Sequence, residues 1–244
     1  MTVMRVRAGT SGYAYNEWKG SFYPSSLKAD DMLRYYADRF STVEINNTFY
    51  RTPSESTLVN WAESVPDGFT FVLKASQRIT HVRRLREVSS EVGFFLQTAS
   101  VLGNKLGPTL FQLPPNMKKD VVRLTEFLTL IPRTWRAAME FRHVSWFDEE
   151  VFDALRSHDV ALCLADTDEE TTPFIATASW GYMRLRRVVY DEADLAAWVQ
   201  RVLTQSWGEA FVFFKHEDEA TGPALAARFM GMVDPASRAS GEAG

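Results

Sequence analysis

Arg136-Ala-Ala-Met-Glu-Phe-Arg-His-Val-Ser-Trp146 begins as an apolar run and turns abruptly into charge. A short run of this composition reads as a buried strand. Side chains alternate across a strand, so Ala138, Glu140 and Arg142 share one face while Met139 and Phe141 share the other. Opposite charges on an otherwise apolar strand are costly to bury unless they are paired or hold a ligand. Chemistry is therefore expected at the end of this strand, and the same apolar-then-polar pattern recurs on both sides of it.

Toward the amino terminus the pattern predicts strands over 4–10, 42–47, 69–74 and 109–113; toward the carboxyl terminus it predicts strands over 160–165, 180–186 and 210–215. Helical spacing predicts helices over 30–40, 56–64, 91–102, 120–130, 148–157, 191–203 and 222–232. Eight strands mostly alternating with helices define an α/β chain and favour a TIM-like (β/α)8 barrel in a single domain, residues 1–233. The rival is an open doubly wound sheet. Gly9, Gly12 and Gly20 lack the Gly-x-Gly-x-x-Gly spacing of a dinucleotide turn, which removes the strongest argument for it. The acidic, Thr-rich stretch 167–172 leaves little room before the seventh strand, so the sixth connection is expected to carry a shortened helix or none. Residues 234–244 are small and polar and read as a flexible tail.

With 244 residues, 45% hydrophobic and 24% charged, the chain has ordinary globular composition. A formal net charge of -4 argues against a strongly basic nucleic-acid binder, although a local cationic groove fits within it. The single cysteine, Cys163, permits no intrachain disulfide. Residues 1–10 lack the apolar region of a signal peptide, and no apolar run reaches bilayer length; a cytoplasmic, soluble protein with no membrane partner is expected.

If every strand enters the barrel from its amino end, polar residues collect at the opposite mouth, the active face of this fold. They are Thr10 and Ser11; Glu44, Asn46 and Asn47; Lys74; Gln112; Glu140, Arg142 and His143; Asp166; Arg184 and Arg186; Lys215 and His216. Three carboxylates, Glu44, Glu140 and Asp166, face five cations, Lys74, Arg142, Arg184, Arg186 and Lys215. The surplus points to a small anionic ligand, a phosphate or carboxylate gripped by guanidinium groups. Glu140 is expected as general acid or base, with Glu44 or Asp166 assisting. Lys74 is expected either as a desolvated amine nucleophile or as a salt-bridge partner. Asn46, Tyr50, His81, Gln112, Arg142, His143, Trp146, Arg184, Arg186, Lys215 and His216 are the expected substrate-binding residues. Taken singly, Glu44, Glu140, Lys74 and Arg184 are each better explained as part of a buried ion network; eight polar tips at one face favour a site.

His81, His143 and His216 with Glu44, Glu140 and Asp166 supply enough donors for a divalent metal. No His-Glu-x-x-His or Cys-x-x-Cys spacing supports one and the interleaved cations would repel it, so no metal or other cofactor is expected. A second reading comes from the basic run Thr80, His81, Arg83, Arg84, Leu85, Arg86. With Tyr13, Tyr15 and Trp18 as stacking surfaces it could line a groove for single-stranded nucleic acid. Nothing in the sequence sets the oligomeric state.

Several segments together resemble the DUF72 (YecE-like) family: Gly9-Thr-Ser-Gly12-Tyr13 with Trp18 and Phe22-Tyr23-Pro24; Val43-Glu-Ile-Asn46-Asn-Thr-Phe49-Tyr50-Arg51 with Pro53; Phe71 to Lys74 with Ile79-Thr80-His81. So do Leu106-Gly107-Pro108 with Gln112-Leu-Pro-Pro115, Glu140-Phe-Arg142-His143 with Ser145-Trp146, Ala165-Asp166, and Tyr182-Met-Arg184-Leu. The resemblance reaches to about residue 230. It implies a TIM-barrel-like fold and, by fold association alone, kinship with sugar isomerases and endonuclease-IV-like barrels. Many members have Arg-Leu-His-Gly where this chain has Arg184-Leu-Arg186-Arg187, and some have paired asparagines at Lys215-His216; both departures make this mouth more basic.

Overall fold

A barrel must close where its first and last-formed neighbours meet, and here that seam joins β1 (Arg5–Thr10) to β2 (Thr42–Ile45). The computed structural model describes residues 4–215 and 220–242. Going round the sheet, β1 is followed by β8 (Glu209–Phe214), β7 (Gly181–Leu185), β6 (Ala161–Asp166), β5 (Ala137–Glu140), β4 (Leu106–Gln112), β3 (Thr70–Lys74) and β2, every pair parallel. β1 meets β2 through a bridge between Ser11 and Glu44, with Gly12 N donating to Glu44 O at 2.8 Å. The Tyr36 hydroxyl completes the seam, accepting from Thr10 N at 2.9 Å and donating to Thr42 O at 3.0 Å. The approach is so close that a Cβ on Gly9 would lie 2.2 Å from Thr42 O, so only glycine fits there.

Tyr36 comes from α1 (Met32–Ala37), and α2 (Glu55–Glu63), α3 (Ser89–Ala99), α4 (Val121–Leu128) and α5 (Glu149–Arg156) follow β2 to β5 in turn. Side-chain caps start α2, α4 and α5: Ser54 accepts from Thr57 N, Asp120 from Arg123 N and Asp148 from Glu150 N. Then α6 (Glu192–Leu203), opened by the Asp191–Asp194 capping box, follows β7, and α7 (Thr221–Glu242) follows β8. Between β6 and β7 there is no helix among the described residues. The connection instead runs back along β6: Thr177 Oγ1 accepts from Leu162 N and donates to Val160 O, while Phe174 fills the helix layer against Trp198 and Trp207.

Strand alternation divides the apolar residues into two layers. Val72, Leu110, Ala138, Cys163, Tyr182, Phe211 and Phe213 fill the barrel; Phe71, Leu73, Met139, Leu162, Leu164, Met183 and Phe214 face the helices. The strand after Ala137 ends at Glu140 and the one after Thr42 at Ile45, earlier than expected, because 3-10 turns Val144–Trp146 and Asn47–Phe49 begin close by. The last helix runs past Met232 to Glu242, through most of the segment expected as a tail; Ala236, Arg238 and Ala239 there are good helix formers. Among the described residues no helix is long and apolar enough to cross a membrane.

Candidate active site

At the carboxyl end of the barrel, β2, β5 and β7 turn Glu44, Glu140 and Arg184 inward, and the three form one ion cluster. Arg184 donates from Nη2 to Glu44 Oε1 at 2.9 Å and from Nη1 to Glu140 Oε2 at 2.6 Å. None of the three is more than 2% exposed. Glu44 also accepts from Ser11 Oγ at 2.7 Å, Tyr182 Oη at 2.5 Å and Asn46 Nδ2 at 3.1 Å. Glu140 accepts from Gln112 Nε2 at 2.8 Å and Arg142 Nε at 3.2 Å.

Burial pushes both carboxyls up, but the Arg184 guanidinium and the surrounding donors outweigh it. Glu44 is held below the carboxylate range and Glu140 is brought down to about 2. Burial likewise opposes the charge of Arg184, and the two carboxylates more than restore it. Both glutamates are therefore permanent anions at neutral pH, a state suited to fixing Arg184 and ill suited to carrying protons. This bears on the acid/base role expected of Glu140.

Above this cluster lies a cavity of about 280 Å³ lined by Tyr15, Asn46, Asn47, Tyr50, Lys74, Gln112, Arg142, Arg184, Arg186 and Lys215. Five cations thus border one cavity, and no carboxylate lines it among the described residues. Lys74 makes no ion pair among the described residues: its Nζ donates to Gln112 Oε1 at 2.9 Å and sits 4.2 Å over the Phe49 ring. Burial, reinforced by Arg184 and Arg142, brings its amine down to about 8 against the pull of Glu140 and Glu44. The half-buried Arg186 makes no side-chain ion pair or hydrogen bond among the described residues, and burial and Arg184 lower its affinity for a proton. His81, edge-on to Phe49 at 4.8 Å, shares a hydrogen bond with Thr80 Oγ1; burial and Lys74 push its pKa down. An adjoining groove of about 480 Å³ shares Arg142 and Arg186 with the cavity and is also lined by Glu140, Asp168, Glu169 and Glu170.

Not every expected residue reaches the mouth. Asp166 lies on the outer face of β6, where it accepts from Arg187 Nε at 2.9 Å, Tyr190 Oη at 2.9 Å, Trp198 Nε1 at 3.1 Å and Thr171 Oγ1 at 2.7 Å. Ala161 and Cys163 point into the barrel, so alternation sends Asp166 to the helix layer, away from Glu44 and Glu140. Trp146 is fully buried behind β5, stacked on Phe141 with centroids 4.7 Å apart and bonded to Met117 O. The His143 ring caps the Val144–Trp146 turn, accepting from Ser145 N at 3.1 Å. Neither lines the cavity. His216 lies outside the described residues. Tyr182 and Phe49 were not expected at the site; Tyr182, two residues before Arg184 on the same strand, is placed there by period alone.

The nucleic-acid groove loses part of its platform, since Trp18 is buried among Tyr15, Phe22 and Tyr23. In the basic loop Arg78 and Arg83 turn to Glu91, Arg84 donates to Asn116 and Leu85 is buried. Among the described residues no group of three His, Cys, Asp or Glu side chains could hold a metal ion.

Comparison with known proteins gives the same architecture. Residues 7–243 match the family model described as "Protein of unknown function DUF72". The UPF0759 protein YunF of Bacillus subtilis is 29% identical over 156 residues, spanning 61% of this chain and 54% of that protein. A DUF72 family crystal structure from Thermotoga maritima superposes with a TM-score of 0.84 at 28% identity, covering 94% of this chain and 99% of that one. One from Enterococcus faecalis gives 0.77 at 18% identity, covering 96% and 99%. A xylose isomerase-like TIM barrel fused to a 4-hydroxyphenylpyruvate dioxygenase gives 0.53 at 12% identity, covering 95% of this chain and 42% of that one, a likeness of fold alone.

Proposed function

The chain belongs to the DUF72 family, and on that premise we propose that it is an enzyme of isomerase or hydrolase type acting on a phosphate- or carboxylate-bearing, sugar-like small molecule at the barrel mouth. One observation carries this reading. Glu44 and Glu140 beneath the cavity are held by Arg184, while Arg186 and Lys74 border the cavity without a carboxylate partner among the described residues. A small anion is the partner that such a set lacks.

Arg186 and Arg142 would clasp the anionic group, Asn46, Asn47 and Tyr50 would meet hydroxyls, and Arg184 would fix the floor. Of the four residues expected to be catalytic, Lys74, read from the sequence as a nucleophile or salt-bridge partner, has the pKa suited to proton transfer near neutrality; Glu140 and Glu44 serve as its electrostatic frame. Asp166, bonded within the helix layer, supports the β6 end and leaves the chemistry to others. An extended nucleic-acid ligand has less in its favour, with Trp18 covered and Arg78 and Arg83 drawn to Glu91.

Inorganic phosphate and members of a panel of sugar phosphates and sugar acids should raise the melting temperature, climbing with the logarithm of ligand concentration above the dissociation constant, and Arg186→Gln should weaken that rise. A flat response across the panel, identical in the variant, would overturn the reading. Salt-dependent binding of a labelled oligonucleotide, lost on removing the Arg83, Arg84 and Arg86 charges, would favour the nucleic-acid alternative instead.

A further inference from the structure

The lysines of this chain are not alike. Lys105 Nζ donates to Ala62 O and Val65 O beside Asp67, and Lys119 pairs with Asp148 and Glu150. Lys74 instead meets an amide oxygen and an aromatic face. Gln112 cannot turn to offer its nitrogen, because Nε2 is already donated to Glu140 Oε1 at 2.8 Å. Its oxygen is therefore fixed toward Lys74 Nζ, orienting the amine without supplying a counter-charge that would hold its proton. Phe49 covers another side at 4.2 Å, and Arg142, Arg184 and Arg186 border the same cavity.

Burial and the neighbouring guanidinium groups favour the amine free of its proton, bringing its pKa down to about 8, while Gln112 and Phe49 hold it in place. Resting on the anion-binding reading above, we infer that Lys74 Nζ condenses with the carbonyl carbon of a phosphate- or carboxylate-bearing aldehyde or ketone held in this cavity. The nitrogen lone pair adds to the carbonyl carbon, forming a C–N bond while the C=O π pair moves to oxygen. With one proton passed from nitrogen to oxygen the product is a carbinolamine. A second proton, from solvent, lets that oxygen leave as water as the nitrogen lone pair closes a C=N bond. Amine, carbonyl and one proton thus become an iminium ion and water, with no oxidant or reductant. The iminium carries the charge that the ammonium had, so Gln112 and Phe49 face a cation before and after.

The test uses the intact protein and pyridoxal 5′-phosphate, an aldehyde bearing a phosphate, followed by sodium borohydride, which reduces a C=N bond to a stable secondary amine. Peptide mapping by mass spectrometry should place the adduct predominantly on Lys74, and inorganic phosphate should compete with its formation. In Lys74→Arg, which retains the charge but cannot condense, the adduct should fall about tenfold or more. Gln112→Leu, which keeps the lysine and frees it from its acceptor, should slow trapping at Lys74 without abolishing it. Adduct spread evenly over surface lysines, or undiminished in total in Lys74→Arg, overturns the inference. Should that happen while phosphate still raises the melting temperature, the anion site stands and only the condensation falls. Should phosphate also fail to bind, both fall together.

Discussion

Arg184 and Lys74 occupy the inside of the same barrel mouth, on β7 and β3, and the fold treats them in opposite ways. Arg184 is sealed from solvent and holds two carboxylates. Lys74 is half-buried and meets Gln112 and Phe49 in place of any carboxylate among the described residues. Burial disfavours both charges; for Arg184 the neighbouring anions reverse that effect, and for Lys74 they do not. The lesson is a division of labour by depth: the lower layer spends its charges on itself and becomes rigid, while the upper layer leaves charge unspent and is available to a ligand.

The largest effect should come from breaking the lower layer. Arg184→Met would leave Glu44 and Glu140 buried and uncompensated, a loss of about 3–5 kcal/mol in stability. Urea unfolding measures it. Adding Glu44→Gln and Glu140→Gln should recover most of the loss, because neutral amides retain shape without stranded charge. A deficit under about 1 kcal/mol for Arg184→Met alone would mean that water reaches the cluster and that the two layers do not differ.

Acid should act on the same layer less abruptly. Glu140 has a folded pKa of about 2 against an ordinary value of 4.5, so between these values the unfolded chain binds more protons. Its stabilising contribution is complete above 4.5 and is lost as pH falls toward 2. Glu140→Gln should flatten the slope of unfolding free energy against pH in that window. An unchanged slope would assign the acid sensitivity to other groups.

How much of this was legible in the sequence depends on what alternation had to work with. The eight strands and the helix-free sixth connection were readable because turn residues and short apolar runs set element boundaries directly. Glu44, Glu140 and Arg184 came together as expected, each at a strand end. Asp166 did not, since β6 is buried on both faces and offers no hydrophobic alternation to fix its parity. Residue size held the missing signal: small Ala161, Cys163 and Ala165 suit the crowded barrel interior, large Leu162 and Leu164 the helix layer, and Asp166 belongs with the leucines. Trp146 and His143 lie beyond the last residue of β5, in a turn whose geometry the strand period does not carry. That Gln112 presents oxygen to Lys74 depends on Glu140, a residue 28 positions away, and no local pattern encodes it.

The smallest effect should have the opposite sign from the first. In the folded chain the Lys74 amine titrates at about 8 rather than 10.5, so between these values the unfolded state binds the extra proton and stability rises with pH. Below 8 the folded protein carries the full cost of holding that charge. Lys74→Met removes both the cost and the Gln112 hydrogen bond, and the net change at pH 7 should be a gain of about 1 kcal/mol or no change. The rise between pH 8 and 10.5 should shrink with it. A loss of several kcal/mol, of the kind expected for Arg184, would show that Lys74 belongs to the structural layer after all, since an ammonium poised for a ligand is one the empty fold does better without.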